Sequence, residues 1–366
     1  MGRENLHLLH RKPEICGTRI TKQCLAMSDD GIHFEKQGPV LEKPETVTDH
    51  FRDPNVRVRN GHLEMLIGAQ NLNEFGEILQ FTSTDGLNWS EPVLYAASQK
   101  VSMIECPDLI ETENENILLY CLQNRDPLTD ECLDSTLVFR ILGGDRQNQA
   151  IDLDTEWKTF DSGFDCYAAQ TMKTEDGRIL VFSWMNRLDE EQEKLLADAA
   201  DNVHCLTLPR ELSVENGRLL QKPAKELYAL FSPDSVPSSE QIKLSSRSWR
   251  AELNGNSREF CLKINEREAQ ISWSPELGIL TLFRWDWAEN EWQEKSITLR
   301  ELNRAEIFMD TSSLEIFIND GQNVFSARIL PSRPDTLITL SGLNPTDLKL
   351  YPIIPGTFSL EKTFQE

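Results

Sequence analysis

Short β-branched and aromatic runs, broken by Asp-Gly, Asn-Gly and Pro, make up almost the whole chain. Helical spacing occurs at one place, Asp189 to Ala200, where Leu195, Leu196 and Ala199 sit among acidic residues. The Asp-Gly and Asn-Gly pairs suit type I′ turns, which need positive φ at both central residues. Three hairpins of one kind stand out. Asp53 leads into Val56-Arg57-Val58, a turn at Asn60-Gly61, and Leu63 to Ile67. Glu105 leads into Leu109-Ile110, a polar turn near Asn114 to Asn116, and Ile117 to Tyr120. Asp165-Cys166-Tyr167 precedes a turn at Asp176-Gly177 and then Ile179 to Phe182. A carboxylate opens each hairpin, at intervals of 52 and 60 residues. The pattern predicts a repeat that points acids at a common centre, and two acids at one centre are the minimum equipment for cutting a glycosidic bond.

A second repeat has the same period. Ser28-Asp29-Asp30-Gly31-Ile32-His33-Phe34 runs on to Pro39-Val40-Leu41, and Ser83-Thr84-Asp85-Gly86-Leu87-Asn88-Trp89 to Pro92-Val93-Leu94, with glycines 55 residues apart. A period of roughly 50 to 60 residues is the size of one four-stranded propeller blade. Residues 1 to about 41 read as the later part of a blade whose inner, acid-bearing hairpin is not in the chain. A ring short of a member has exposed edges.

The propeller pattern fades after Leu208-Pro209-Arg210-Glu211-Leu212 and a strand pair through Leu220. Residues 232–240 are rich in Ser and Pro and read as a linker. From Gln241 onward short strands follow at the spacing of a sandwich, among them Phe260 to Ile264, Ile279 to Phe283, Leu314 to Ile318, Val324 to Ile329 and Thr336 to Leu340. The expected fold is therefore all-β: a five-bladed β-propeller with its first blade missing or incomplete over 1–231, a linker over 232–240, and a C-terminal β-sandwich over 241–366.

Charge and cysteines narrow the function. With 60 Asp and Glu against 37 Lys and Arg the net charge is −23, which disfavours nucleic acid or an anionic membrane as partner. A phosphorylated small molecule needs only a local basic pocket and stays open. The eight cysteines are scattered without a C-x-x-C pair, as expected of reduced thiols in a cytoplasmic protein. His7 and His10 give the one spacing that a metal could use, near a chain end, and neither a metal nor another cofactor is expected. No stretch approaches the ~20 apolar residues of a membrane span, and Met-Gly-Arg-Glu-Asn is too polar to open a signal peptide.

Five segments in order carry a more specific likeness: Phe-Arg-Asp-Pro at 51–54, Glu-Cys-Pro-Asp-Leu at 105–109, Asp161 to Gln170, Leu-Pro-Arg-Glu-Leu at 208–212, and Leu314 to Gly321. With them the chain resembles glycoside hydrolase family 32, the invertase and sucrose-6-phosphate hydrolase group, from about residue 20 to about residue 350. The resemblance implies a five-bladed propeller followed by a sandwich, in agreement with the repeats. It also exposes a departure. The family carries its nucleophilic aspartate in a Trp-x-Asn-Asp-Pro-Asn-Gly motif on the first blade, and no such motif occurs here. The chain resembles a member lacking its N-terminal first blade.

The resemblance implies retaining hydrolysis of the β-fructofuranosyl bond of sucrose 6-phosphate or sucrose. Glu105 is the expected proton donor, a role that favours a raised pKa. Asp53 is the expected transition-state stabiliser, accepting hydrogen bonds from fructose hydroxyls as the ring flattens. Arg52 is expected to hold Asp53 ionised and to reach the sugar or the donor. Phe51, Cys106, Asp165, Tyr167 and Trp184 complete the expected substrate-binding set, with Asp165 on the rim and Trp184 stacking on a sugar face. Arg210 is expected to lock a blade through a salt bridge. The C-terminal tryptophans Trp249, Trp273, Trp285, Trp287 and Trp292 read mostly as packing. Without an attacking carboxylate this polypeptide is expected to release fructose from sucrose 6-phosphate slower by several orders of magnitude, and full turnover would overturn that reading. The alternative is a non-catalytic remnant that binds sugar or another chain.

Overall fold

The structure is a computed structural model. It describes residues 5–11, 14–15, 18–112, 115–143, 149–185, 187–199, 203–237, 239–255 and 258–356, with side chains from residue 20 onward. Residues His7 and His10 therefore lie outside the described side chains. The chain forms two compact units: residues 1–160 with 167–173, and residues 161–166 with 174–366.

In the first unit the strands Asn5–Arg11, Lys22–Ser28 and Glu35–Glu42 form an antiparallel sheet of three. A sheet of five follows. Val47–Arg59, His62–Asn71, Gly76–Ser83 and Val93–Ala97 pair antiparallel in sequence order, and Ile151–Asp152 adds in parallel to the last. A sheet of four is built from Met103–Glu111, Asn116–Arg125, Cys132–Leu142 and Lys158–Thr159. The strand Tyr167–Lys173 completes the unit. Consecutive up-and-down hairpins of this length are propeller blades.

The strand His62–Asn71 explains how neighbouring blades stack. Its odd residues Met65, Ile67 and Ala69 enter one core with Val47, Phe51, Leu79 and Phe81. Leu66 enters the next core, with Ile104, Leu109, Leu118 and Tyr120. Alternation across a pleat makes one strand serve two layers. Gly68 falls on the second face, where a Cβ would lie 2.1 Å from the Ile104 carbonyl oxygen and 3.3 Å from the Glu105 Cα. The strand carrying Glu105 thus rests on bare backbone. Gly68→Ala is expected to cost roughly 3 kcal/mol or more through overpacking, read as a lower urea midpoint. An unchanged midpoint would show that the strands separate freely.

The turns divide by chemistry. Asn60-Gly61 and Asn216-Gly217 both have two positive φ values, as type I′ demands. Asp320-Gly321 has them too, whereas Asp30-Gly31, Asp85-Gly86 and Asp176-Gly177 do not. At Asp30-Gly31 and Asp85-Gly86 only the glycine is left-handed. The aspartate instead accepts backbone N–H bonds: Asp85 Oδ1 from Leu87 and Asn88 at 2.9 and 2.8 Å, and Asp30 Oδ1 from Ile32 and His33 at 2.8 Å each. Asp side chains compete with the hairpin geometry by capping their own loop.

In the second unit Ile179–Trp184, Arg210–Glu215 and Arg218–Pro223 pair antiparallel, and Glu190–Ala199 is the helix expected from the periodicity. Two sheets then face each other over one core. Six strands run in the order Gln241–Leu244, Thr336–Ser341, Phe260–Ile264, Ala269–Ser274, Ile279–Asp286 and Glu291–Thr298. Five run Asn323–Arg328, Ser313–Ile318, Arg304–Met309, Trp249–Asn254 and Leu348–Pro352. Trp249 and Trp273 are buried in the core between them. The Ser/Pro segment lies along the last strand, with Ser232 N donating to the Pro352 carbonyl and Val236 N to that of Leu350.

Residues 161–166 join this unit because Ser162 N donates to the Val324 carbonyl and Phe164 N to that of Ser326. Arg210, fully buried, gathers them. Its guanidinium donates to Asp161 Oδ2 at 3.0 Å, Glu315 Oε2 at 2.8 Å, Gln221 Oε1 at 2.9 Å and Ser326 Oγ. The expected locking role of Arg210 is what this geometry describes.

Candidate active site

Three inner strands of the first unit carry the site. Each contains a non-glycine residue in the left-handed region: Asp53 at φ 62°, Cys106 at 47° and Ala168 at 49°. In the first two the antiparallel register breaks there, between Arg52 and Asn55 and between Glu105 and Asp108. Such bulges re-aim side chains, and left-handed non-glycine backbone is strain held in place by its surroundings. The residue ahead of each is Arg52, Glu105 and Tyr167, and these three side chains meet. Arg52 Nε and Nη2 donate to Glu105 Oε1 at 2.8 and 2.7 Å. Tyr167 Oη donates to Glu105 Oε2 at 2.6 Å, and Gln123 Nε2 donates to the same oxygen at 3.0 Å.

The geometry corrects the repeat read from sequence. Glu105 is structurally equivalent to Arg52 and Tyr167, not to Asp53 and Asp165. Asp53 is equivalent to Cys106 and Ala168. Asp53 and Glu105 do come together: Arg52 Nε lies 3.9 Å from Asp53 Oδ2 and 2.8 Å from Glu105 Oε1. The backbone N–H of Cys106 donates to Asp53 Oδ2 at 3.2 Å and its Sγ lies 3.7 Å away, so Cys106 orients Asp53.

The remaining expected residues part company. Phe51 is fully buried and packs edge-on against Phe81, because alternation along its strand turns it away from Arg52. It lines no binding surface. Asp165 is fully buried in the second unit, where its carboxylate accepts from Arg284 Nη1 and from the Arg328 backbone N–H, both at 2.7 Å. Its acceptors are used by the protein, and its role is structural. Trp184 lies near-parallel to His204, ring centroids 5.5 Å apart, and its Nε1 donates to His204 Nδ1 at 3.1 Å, which fixes the indole's orientation.

Burial raises the Asp53 carboxyl above its ordinary range, Arg52 pulls it down, and Glu105 pushes it up again. Burial keeps the Tyr167 phenol protonated, with Cys121 and Glu105 acting the same way, so it stays a donor. A side-chain hydrogen bond with Cys121, then burial, holds the Cys106 thiol far above the usual value, which removes it as a nucleophile. His50 lies behind Arg52, and burial and that arginine push it down to about 4.

His50, Gln123, Arg125 and Asp130 were not found from sequence. Gln123 stands opposite Met103 in the hairpin register. The signal available was a polar run, Gln123-Asn124-Arg125, directly after the apolar run ending at Leu122. Asp108 was also missed: it is buried, and its Oδ2 accepts from Thr171 N and Oγ1 at 2.8 Å each. Among the described residues no group of three or more His, Cys, Asp or Glu is arranged to hold a metal, and no helix is long and apolar enough to cross a membrane.

A glutamate gripped by a guanidinium, with a second carboxylate beside it on neighbouring inner strands, supplies the two acids that cleavage of a glycosidic bond calls for. Residues 4–223 match the model of the Glycosyl hydrolases family 32 N-terminal domain and residues 220–347 that of the Glycosyl hydrolases family 32 C terminal. The chain belongs to glycosyl hydrolase family 32. It is 31% identical to the sucrose-6-phosphate hydrolase of Bacillus subtilis over 91% of this chain and 73% of that protein. It is 35% identical to a probable sucrose-6-phosphate hydrolase of Psychromonas ingrahamii over 88% of this chain and 61% of that one. A GH32 β-fructofuranosidase of Bombyx mori superposes with TM-score 0.78 at 25% identity, over 96% of this chain and 76% of that one. These likenesses establish the propeller-and-sandwich fold and favour a hydrolase over a non-catalytic remnant.

Proposed function

We propose that this protein hydrolyses the β-fructofuranosyl bond of sucrose 6-phosphate or sucrose with retention. The observation that carries the reading is the convergence of Arg52, Tyr167 and Gln123 on Glu105, with Asp53 against the same guanidinium. Glu105 delivers its proton to the glycosidic oxygen and later takes one from water. Asp53, held by Cys106, accepts hydrogen bonds from fructose hydroxyls that tighten toward the oxocarbenium ion. Retention requires in addition a nucleophilic carboxylate across the bond, roughly 5 Å from Glu105; the motif that carries it in the family does not occur in this sequence, so slow turnover is expected. Tyr167 and Arg52 position Glu105; the propeller part over 1–231 carries the chemistry, and residues 241–366 form the sandwich. The free thiols among the described residues fit a cytoplasmic location.

The test combines binding and chemistry. Sucrose and sucrose 6-phosphate are titrated into the protein by calorimetry, and fructose is followed during long incubation at high protein concentration. Saturable binding is expected, with fructose released above the uncatalysed rate in proportion to protein. Glu105→Gln should remove that excess. Absence of binding to either sugar would overturn the reading.

A further inference from the structure

Six side chains in the first unit close a hydrogen-bonded ring. Starting at Glu105, it passes to Arg52, then through Arg52 Nη1 to His50 Nδ1 at 2.6 Å. His50 Nε2 meets Asp130 Oδ1 at 2.8 Å, and Arg125 Nε donates to the same oxygen at 2.6 Å. Arg125 Nη1 donates to Gln123 Oε1 at 2.6 Å, and Gln123 Nε2 returns to Glu105 at 3.0 Å. His50 is 7% exposed and Arg52 5%. His50, Arg125 and Asp130 also line a cleft of about 670 Å³ together with Thr48, Gln70 and Ser102.

The direction of each bond fixes the state of His50. A guanidinium can only donate, so Nδ1 must accept. A carboxylate can only accept, so Nε2 must carry the proton. The imidazole is therefore neutral and in one tautomer, as an imidazole wedged between a guanidinium and a carboxylate must be to satisfy both. We propose that His50 is a positioning residue for Glu105: it anchors the far side of the Arg52 guanidinium so that the near side is aimed at the proton donor, and Asp130 on the cleft wall holds His50 in turn. Arg52 carries Nη1 and Nη2 on one rigid plane, so fixing Nη1 fixes the angle at which Nε and Nη2 reach Glu105. Second-layer partners of this kind set the geometry of the group that does the chemistry. The burial of His50 and the adjoining arginine, which depress it to about 4, keep the neutral form across the working range.

The inference rests on the proposed function, and its test separates the two. In protein labelled with 15N-histidine, His50 should show an unprotonated Nδ1 and a protonated Nε2 at both pH 7 and pH 5.5. Sucrose affinity is then compared across variants. His50→Ala should weaken it about tenfold. His50→Asn places an amide oxygen where Nδ1 was and should retain affinity within about threefold. His50→Gln places its amide where Nε2 was, leaves Arg52 unmet, and should behave like the alanine variant. A purely structural role would instead order the variants by thermal midpoint. A doubly protonated ring, or Asn no better than Gln, overturns the positioning role while sucrose binding by the unaltered protein upholds the function. Failure of the unaltered protein to bind sucrose overturns the function and this inference with it.

Discussion

Arg210→Met is expected to destabilise the protein by about 3–5 kcal/mol, the usual cost of removing one partner from a buried ionic cluster. Arg210 is fully buried and bridges Asp161 and Glu315, whose side chains are 3% and 2% exposed. Methionine fills comparable space but leaves two carboxylates facing each other without a cation. Burial already pushes Glu315 upward and only Arg210 and the Leu208 N–H restrain it, so the orphaned pair takes up protons on folding. Chemical denaturation of the two proteins, compared at pH 7, measures the loss. Two further variants make the argument specific. Arg210→Lys should recover part of the loss, since an ammonium cannot reach Asp161, Glu315, Gln221 and Ser326 together. Neutralising both acids in the methionine background should recover more, because the penalty lies in the unpaired charges. A loss below about 1 kcal/mol for Arg210→Met would show that the cluster is replaceable.

Asp53→Asn is expected to weaken sucrose binding by about 10- to 100-fold, the scale of charge-assisted hydrogen bonds. Asparagine is the informative replacement because φ at this position is 62° and Asn is one of the few residues at ease there. Alanine would mix backbone strain with lost chemistry. The same variant carries a pH signature. The folded Asp53 carboxyl is raised by burial, so its ionised form costs stability at pH above its folded value, and acidification through that value relieves the cost. Sugar binding needs the ionised acceptor and runs the other way, falling as pH drops through a midpoint above the ordinary aspartate range. Affinity measured from pH 8 to 4 should show that fall in the natural protein and a flatter profile in the variant. Equal affinities at pH 7 would remove Asp53 from the sugar site.

The sequence was most legible where local chemistry decides the outcome. Hairpin spacing, the sandwich strands and the helix near Asp189 follow from periodicity and turns. Asn60-Gly61 and Asn216-Gly217 adopt the turn their dipeptides demand, whereas Asp30-Gly31 and Asp85-Gly86 do not, because there the aspartate carboxylate finds backbone donors of its own. The pair Asp53 and Glu105 was legible through the motifs around them, but the equivalence between them was not. Counting carboxylates aligned Asp53 with Glu105 and Asp165. Backbone conformation aligns Arg52 with Glu105 and Tyr167, and the dipeptides Asp53-Pro54 and Cys106-Pro107 carried that register all along. Asp165 misled because its partners, Arg284 and Arg328, lie more than a hundred residues away. Ring members such as Gln123 and Asp130 belong to a different strand and loop from the histidine they support. Only the hairpin register and the turn at Asp126 to Glu131 bring them near.

The Arg210 cluster also sets a timetable for biosynthesis. Asp161 leaves the ribosome long before its other partners: Ser326 follows 165 residues later, and Glu315 emerges 105 residues after Arg210. Until then the nascent polypeptide holds an arginine and an aspartate whose final neighbours do not yet exist, and hydration must shelter them.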